Sequence, residues 1–543
     1  MQPIQKGIHK MSNMKTIIFI CCASLLFLIT CTKKNSEPTE RPRETEILDS
    51  LVLLPEGTEA VEIAIDPNTK FQTIDNFGAS DCWSGQFAGN WPTSKTTQMA
   101  DWLFSMDTTN NGQPLGIGLS AWRFNIGTGS AEQGNESGIA DEWRRTSGFL
   151  QADGSYNWEK QSGQRNLLTA AHDRGVEQFI GFTNSPPVNF TKTGKAYGSS
   201  ADPENIATDK LEDFADFLVE VVGGLKERTG VELTYLSPVN EPQWDWTHGG
   251  QEGCYMTNST YRQLVEALDN KLTLSNGINT KIMVSEAGKW TYLYSEGSTV
   301  GNQIAYFFGP GSPVNNAPNL AKIAAGHSYY STTPTTTMID IREQVWQKAS
   351  LINNMKVWST EYCPLGDGDL TALGWNDWHK DLGMDVALYV AQIVYHDLVY
   401  ANASAWQWWL AISPYDYPDG LIYVSKDKTN GTYSDSKLMW VLGNYSRFVR
   451  PGAQRVKAEQ SSQDLFVSAF VHETDQTFSI VLVNRSENPV PVKLKLDGNV
   501  SASVKPYITS GKDTHKLMPM KSIDVSNAFE MPPLSVITFN RNF

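Results

Sequence analysis

Short apolar runs alternate with helical stretches along most of this chain, and each run is closed by polar or proline-containing residues. Eight of these runs read as strands. The first ends through Asn76-Phe77-Gly78, the second is GIGLSAWRFNIGTGS (116–130), and the third is VEQFIGFTNSPPVNF (176–190), stopped by Pro186-Pro187. VELTYLSPV (231–239), KIMVSEAG (281–288), AKIAAGHSYYS (321–331), MKVWSTEYCPLG (355–366) and NASAWQWWLAIS (402–413) supply the fourth to the eighth. Between them apolar residues recur at helical spacing. Leu211, Phe214, Leu218, Val221, Val222 and Leu225 precede the fourth run, and Ala387, Val390, Ala391, Val394 and Leu398 precede the eighth. Strands alternating with helices in this number predict an α/β chain built on a (β/α)8 TIM barrel.

The period changes after Arg450-Pro451-Gly452. LFVSAFV, TFSIVLVN, VPVKLKL and SVITFN are short runs, several of them alternating, separated by polar turns. They predict an accessory antiparallel β-sandwich. The alternating VEIAI (61–65) lies before the barrel and is expected to complete that sandwich. The expected layout is a barrel over 70–445 and a side domain assembled from 51–69 and 446–543. At 543 residues the chain has room for both.

The N-terminal segment reads as a targeting signal. Lys15 precedes an apolar run from 16 to 29, too short for a permanent membrane span, and the run leads into Cys31. This is similar to a bacterial lipoprotein signal covering 1–31, with Cys31 as the lipidated residue. Thr30 departs from the small residue usual before that cysteine. Residues 32–50 read as a polar tether. The expectation is an exported outer-membrane lipoprotein that meets the membrane only through its lipid. Cys82, Cys254 and Cys363 remain beyond the signal, too few and too scattered for a disulfide framework or a zinc motif. A net charge of −15 argues against nucleic acid as a partner, which needs a basic surface.

The chemistry-bearing positions lie where runs end. Glu241 follows the fourth run and is fixed at the rim by Pro242, which cannot donate to a sheet ladder; Trp244 and Trp246 follow. Glu361 ends the seventh run. A carboxyl pair across a barrel mouth, beside broad apolar faces, suits sugar hydrolysis, in which one carboxyl donates a proton and the other meets the anomeric carbon. Arg123 inside the second run needs a carboxylate partner. The 17 Trp and 20 Tyr fit a protein that holds sugar rings, although a large core uses aromatics too. Only 8 His occur, with no paired metal-binding spacing, so neither a metal nor another cofactor is expected. Two rivals stand beside a glycosidase: a non-catalytic glycan-binding lipoprotein, which needs neither glutamate, and a metal-dependent hydrolase.

QTIDNFGAS (72–80), LSAWRFNIG (119–127), SPPVNFTKTG (185–194), VNEPQW (239–244), GHSYY (326–330), WSTEYC (358–363) and YSRFVRPG (445–452) together resemble glycoside hydrolase family 30. The resemblance implies a retaining enzyme with Glu241 as acid/base and Glu361 as nucleophile. It further implies Asn240 on the sugar 2-hydroxyl, Arg123 beside Glu361, Tyr329 orienting Glu361, and Trp408 as the floor of the −1 subsite. His327 at the end of the sixth run and Trp244 as a plus-side platform complete the expected contacts. Asn184 stands where the family commonly has Trp, putting a hydrogen-bonding group near the −1 sugar. No arginine lies between Arg342 and Arg447, which removes the glucuronoxylanase reading; the closest overall look is to the endo-β-1,6-galactanase-like branch, with β-1,6-glucan as the alternative substrate. The expected partner is a poly- or oligosaccharide, bound by a monomer.

Overall fold

A parallel strand covered on both faces is mostly apolar, and the barrel strands are almost wholly buried, with their charged residues at the strand ends or paired inside. The structure, a computed structural model, describes residues 49–496 and 503–542; the signal, Cys31 and the tether up to residue 48 lie outside them. β1 (Val61–Thr73) opens the chain. The barrel strands follow: β2 (Asn76–Ser80), β3 (Ala121–Asn125), β4 (Gln178–Phe182), β5 (Tyr235–Ser237), β6 (Lys281–Ala287), β7 (Leu320–His327), β8 (Lys356–Glu361) and β9 (Ala405–Ser413). Each pairs in parallel with the next, and β9 pairs with both β8 and β2, which closes the barrel. The (β/α)8 architecture read from the sequence is the one observed.

A layer of Ala121, Ile180, Met283, Ile323, Ala325, Trp358 and Ala405 fills part of the barrel interior. Outside it, helices present the stripes expected from their spacing. The helix Leu211–Thr229 buries Phe214, Leu218, Val221, Val222 and Leu225. Two register shifts matter for the rim. One lies between Ala79 and Ser80 where β2 meets β9, and the other between Gly326 and His327 where β7 meets β8. Bulges of this kind re-aim the side chains that follow them.

β9 continues through β10 (Gly420–Val424) and β11 (Tyr433–Asp435) on the same sheet. The second sheet holds β12 (Gln454–Glu459), β13 (Leu465–His472), β14 (Thr477–Asn484), β15 (Val490–Leu496), β16 (Ser503–Ser510), β17 (Met518–Pro519), β18 (Ile523–Asp524), β19 (Phe529–Met531) and β20 (Ser535–Asn542). β1 joins it, antiparallel to β12 and parallel to β15. Its separate core is built on residues such as Ile63, Val467, Ile480, Leu482, Ile508 and Phe539. Among the described residues no helix is long and apolar enough to cross a membrane.

Candidate active site

The strand expected over 231–239 is shorter than its apolar run, because regular pairing stops at Ser237. Beyond it the backbone keeps bonding irregularly. The Asn240 N–H donates to the Thr183 carbonyl at 3.0 Å, and the Glu241 N–H donates to the Glu286 carbonyl at 3.0 Å. This places Glu241 in the left-handed region at φ 45°, and Ser285 and Glu286 likewise stand at φ 84° and 37°. Non-glycine residues there cost about 1–3 kcal/mol each and persist only where the surroundings fix them. The indole N–H of Trp246 holds the turn by donating to the Glu241 carbonyl at 2.9 Å.

Glu361 reaches the same space from the end of β8. Arg123 donates to its Oε2 at 3.0 Å and the Tyr329 hydroxyl to its Oε1 at 2.9 Å. A second Arg123 nitrogen lies 3.4 Å from Glu286 Oε1. His327, wholly buried, bridges the set: Nδ1 is 2.8 Å from Glu241 Oε1 and Nε2 is 2.9 Å from Glu286 Oε2. Thr360 donates to that Glu286 oxygen at 2.7 Å. One carboxylate oxygen each of Glu241 and Glu361 and one ring nitrogen of His327 all lie within 4.8 Å of one another.

Burial opposes a charge on His327, but Glu361, Glu241 and Glu286 around it push its pKa up to about 10. The ring is therefore an imidazolium whose two N–H groups both donate. With the carboxylates on either side of it, the ring makes an ion-pair network. Burial alone would raise Glu286; Arg123 and His327 reverse that and hold it at about 2. Burial pushes Glu361 above the usual carboxylate range against the pull of His327 and Arg123, and nearby Glu241 adds to the push.

Both glutamates open onto a cavity of about 700 Å³. Asn240, Trp244 and Tyr329 line it as well, so the sequence placed these five together. The buried Asn240 Oδ1 has no hydrogen-bond partner. Arg123, His327 and Asn184 stand behind the lining. Asn184 is buried, with its amide nitrogen 3.9 Å from the Cys82 sulfur. It is not on the cavity wall, where a side chain bonding the sugar was expected.

Trp408 needs a plainer correction. It is fully buried, shares a face with Trp406 at 6.2 Å between rings, and is absent from the cavity wall. Trp406 donates to Asp397 of the helix Asp385–Val399, so this face of β9 looks toward the helical layer. Strand alternation puts Gln407 and Trp409 on the other face. Gln407 bonds Asn76, and Trp409 lines the cavity, edge-on to Trp83 at 5.3 Å. Trp408 instead donates its indole N–H to the Asp419 carbonyl at 2.7 Å.

Several lining residues were not singled out from the sequence: Trp409, Trp83, Arg144, Tyr417 and Asp419. Arg144 arrives on the segment between β3 and β4, and its guanidinium lies 5.3 Å from the Trp83 ring and 5.1 Å from that of Tyr415. Glu286 had a visible signal, a third glutamate at a strand end, which the two-carboxyl template passed over. Cys363 also lines the cavity, but burial pushes its thiol well up and leaves no thiolate to act.

A barrel that brings two carboxyls this close in a cavity lined by aromatic rings has the arrangement of a glycoside hydrolase. Residues 60–423 match the model described as "O-Glycosyl hydrolase family 30", and residues 452–539 match the "Glycosyl hydrolase family 30 beta sandwich domain". The chain belongs to glycoside hydrolase family 30. It is 24% identical over 408 residues to an endo-beta-1,6-galactanase of Hypocrea rufa, covering 72% of this chain and 75% of that protein. It is 23% identical over 397 residues to the glucuronoxylanase XynC of Bacillus subtilis, covering 70% and 77%. Among solved structures, a conserved exported protein from Bacteroides fragilis is 32% identical, with a TM-score of 0.80, covering 88% of this chain and all of that one.

Proposed function

We propose that the enzyme cleaves a β-linked polysaccharide with retention of configuration, and that the polysaccharide is β-1,6-galactan attacked internally. The carrying observation is the approach of the Glu241 and Glu361 oxygens within 4.8 Å. Retaining enzymes hold the pair at about 5–5.5 Å, whereas inverting ones leave about 6.5–9.5 Å for a water. Glu361 attacks the anomeric carbon while Glu241 gives its proton to the departing glycosidic oxygen. Water then enters, loses a proton to Glu241, and displaces Glu361 from the anomeric carbon. Arg123 and His327 favour the charged form of Glu361 during attack. Asn240, with an unused buried acceptor at the cavity wall, suits a bond to the sugar 2-hydroxyl. Trp244 serves as the plus-side platform.

The galactan reading draws support from the similarity to the fungal endo-beta-1,6-galactanase and from the lack of arginine between Arg342 and Arg447, a stretch that includes the loop after β9. The protein acts as a monomer. Its export, with lipid on Cys31, is supported by the apolar run before that residue. Replacing Cys31 with Ser would move the protein from the membrane to the soluble fraction.

The test is incubation with β-1,6-galactan, β-1,6-glucan, xylan and aryl β-glycosides, with products followed by chromatography and the first anomer by NMR. We expect β-1,6-galacto-oligosaccharides released as the β-anomer, and a loss of about 100-fold or more in Glu241→Gln and Glu361→Gln. Binding without cleavage would favour the glycan-binding lipoprotein; an α-anomer would refute the retaining mechanism.

A further inference from the structure

Asp419 is a carboxyl that the mechanism above leaves without a task. It lies at the turn between β9 and β10, is 6% exposed, and lines the cavity together with Glu361, Cys363 and Trp409. The turn is held from several sides. Trp408 donates to the Asp419 carbonyl at 2.7 Å, and the Asp419 N–H donates to the Tyr417 carbonyl at 2.9 Å. The Tyr423 hydroxyl donates to the same Tyr417 carbonyl at 2.9 Å. Gly420 lets the turn close on β9, since a Cβ there would come within 2.7 Å of the Ser413 Cβ. The backbone of Asp419 is therefore fixed while its side chain is unfinished. Ser413 eases the charge on the carboxyl, yet Oδ1 is buried with no partner.

Leaving a buried acceptor unmet destabilises the fold, and more so when it is charged. Burial also pushes this carboxyl up to about 7, with Ser413 and Arg144 pulling the other way. Cys363, Tyr417 and Tyr423 are the other titratable groups that sense its charge. A pinned turn that presents an unsatisfied acceptor to a sugar-sized space is a site waiting for a donor. A carbohydrate supplies donors as ring hydroxyls. The position relative to the reacting centre follows from contacts: Tyr329 bonds Glu361 at 2.9 Å and lies 3.9 Å from the Cys363 sulfur, which faces the Asp419 charge.

We propose that Asp419 is a specificity-determining residue whose Oδ1 accepts a hydrogen bond from a ring hydroxyl of the glycosyl unit bound beside Glu361. The inference rests on the glycosidase reading of the same cleft. Trp408 then acts as a positioning residue, holding the turn from behind the wall.

The test compares the wild type with Asp419→Asn and Asp419→Ala on an aryl β-glycoside of the sugar that the wild type cleaves, and on its monodeoxy analogues. We expect Asp419→Ala to lose about 10- to 100-fold in kcat/KM on the parent compound, the worth of a hydrogen bond to a charged group. One deoxy analogue should cost the wild type a similar factor and cost Asp419→Ala nothing further. Asp419→Asn should melt no lower than the wild type, and higher above pH 7, because it removes a buried carboxylate. Unchanged kcat/KM, losses that multiply for every analogue, or a melting temperature that falls in step with activity would overturn the proposal. A wild type inactive on β-1,6-galactan, β-1,6-glucan, xylan and the aryl β-glycosides alike would sink the glycosidase reading and this inference with it. An active wild type without coupling would sink only the role of Asp419.

Discussion

Removing the Arg123 charge should move the acid limb of the pH–activity profile upward. Arg123 is wholly buried and its Nη1 lies 3.0 Å from Glu361 Oε2. At an effective dielectric constant near 20, a charge pair at that distance is worth about 5 kcal/mol, or about 4 pK units as a ceiling. Arginine beside a carboxylate usually lowers its pKa by about 1–3 units, and we take that range for Arg123→Met. Burial already pushes Glu361 up. Without the guanidinium it rises further, so the ionised nucleophile is lost at a higher pH. Activity near pH 5 should fall far more than activity near pH 9. The assay is kcat/KM against pH, which reports the free enzyme, read beside a thermal melt because breaking a buried pair costs about 3–5 kcal/mol. Arg123→Lys keeps the charge but cannot span Glu361 and Glu286 with one fork, so it should lose stability while its acid limb stays within about one unit of the wild type. A folded Arg123→Met whose limb coincides with that of the wild type, its rate reduced equally at every pH, would refute the argument.

Two further outcomes follow from the same geometry. Trp409→Ala should raise KM, because it strips an aromatic face from the cavity, and should also lower the melting temperature, because the ring is only 8% exposed. Trp408→Ala, at a fully buried site, should cost about 3–5 kcal/mol of stability, read by denaturant titration; a raised KM in Trp408→Ala with none in Trp409→Ala would restore Trp408 as the sugar floor. The charge network also sets a pH window for stability. His327, raised from 6.5 to about 10, contributes fully below pH 6.5 and loses its contribution as pH rises through 10, whereas Glu286, lowered from 4.5 to about 2, contributes above pH 4.5 and loses its share as pH falls through 2. Melting temperature against pH should therefore decline on the alkaline side in the wild type and less steeply in His327→Gln.

The barrel was legible because its strands are buried on both faces, which leaves apolar runs that polar and proline residues punctuate. Glu241 and Glu361 were legible for a related reason: each follows such a run, and a charge there must be solvated, paired or used. Arg123 carried the same logic inside a strand, and its carboxylate partners are Glu361 and Glu286. What the sequence did not disclose depends on register. Alternation puts Gln407 and Trp409 opposite Trp406 and Trp408, but which face looks inward is set by how β9 pairs with β2 and β8, not by its own sequence. With Trp406, Trp408 and Trp409 so close together, family likeness selected a ring on the wrong side.

The remaining misses share a physical character. Glu286 enters the network through a backbone turned to positive φ, and Asp419 enters the cleft on a turn fixed by the Trp408 indole, from the face of β9 turned away from the cavity. Arg144 comes from a loop whose sequence reads only as polar. Glu286 and Asp419 depart from what folding alone favours, one through backbone strain and the other through a buried unmet acceptor. Such departures cost stability, so they persist where something other than folding requires them. At this rim they gather around one cavity, which is why the unmet oxygen of Asp419 is better understood as half of a contact with substrate than as a fault in the packing.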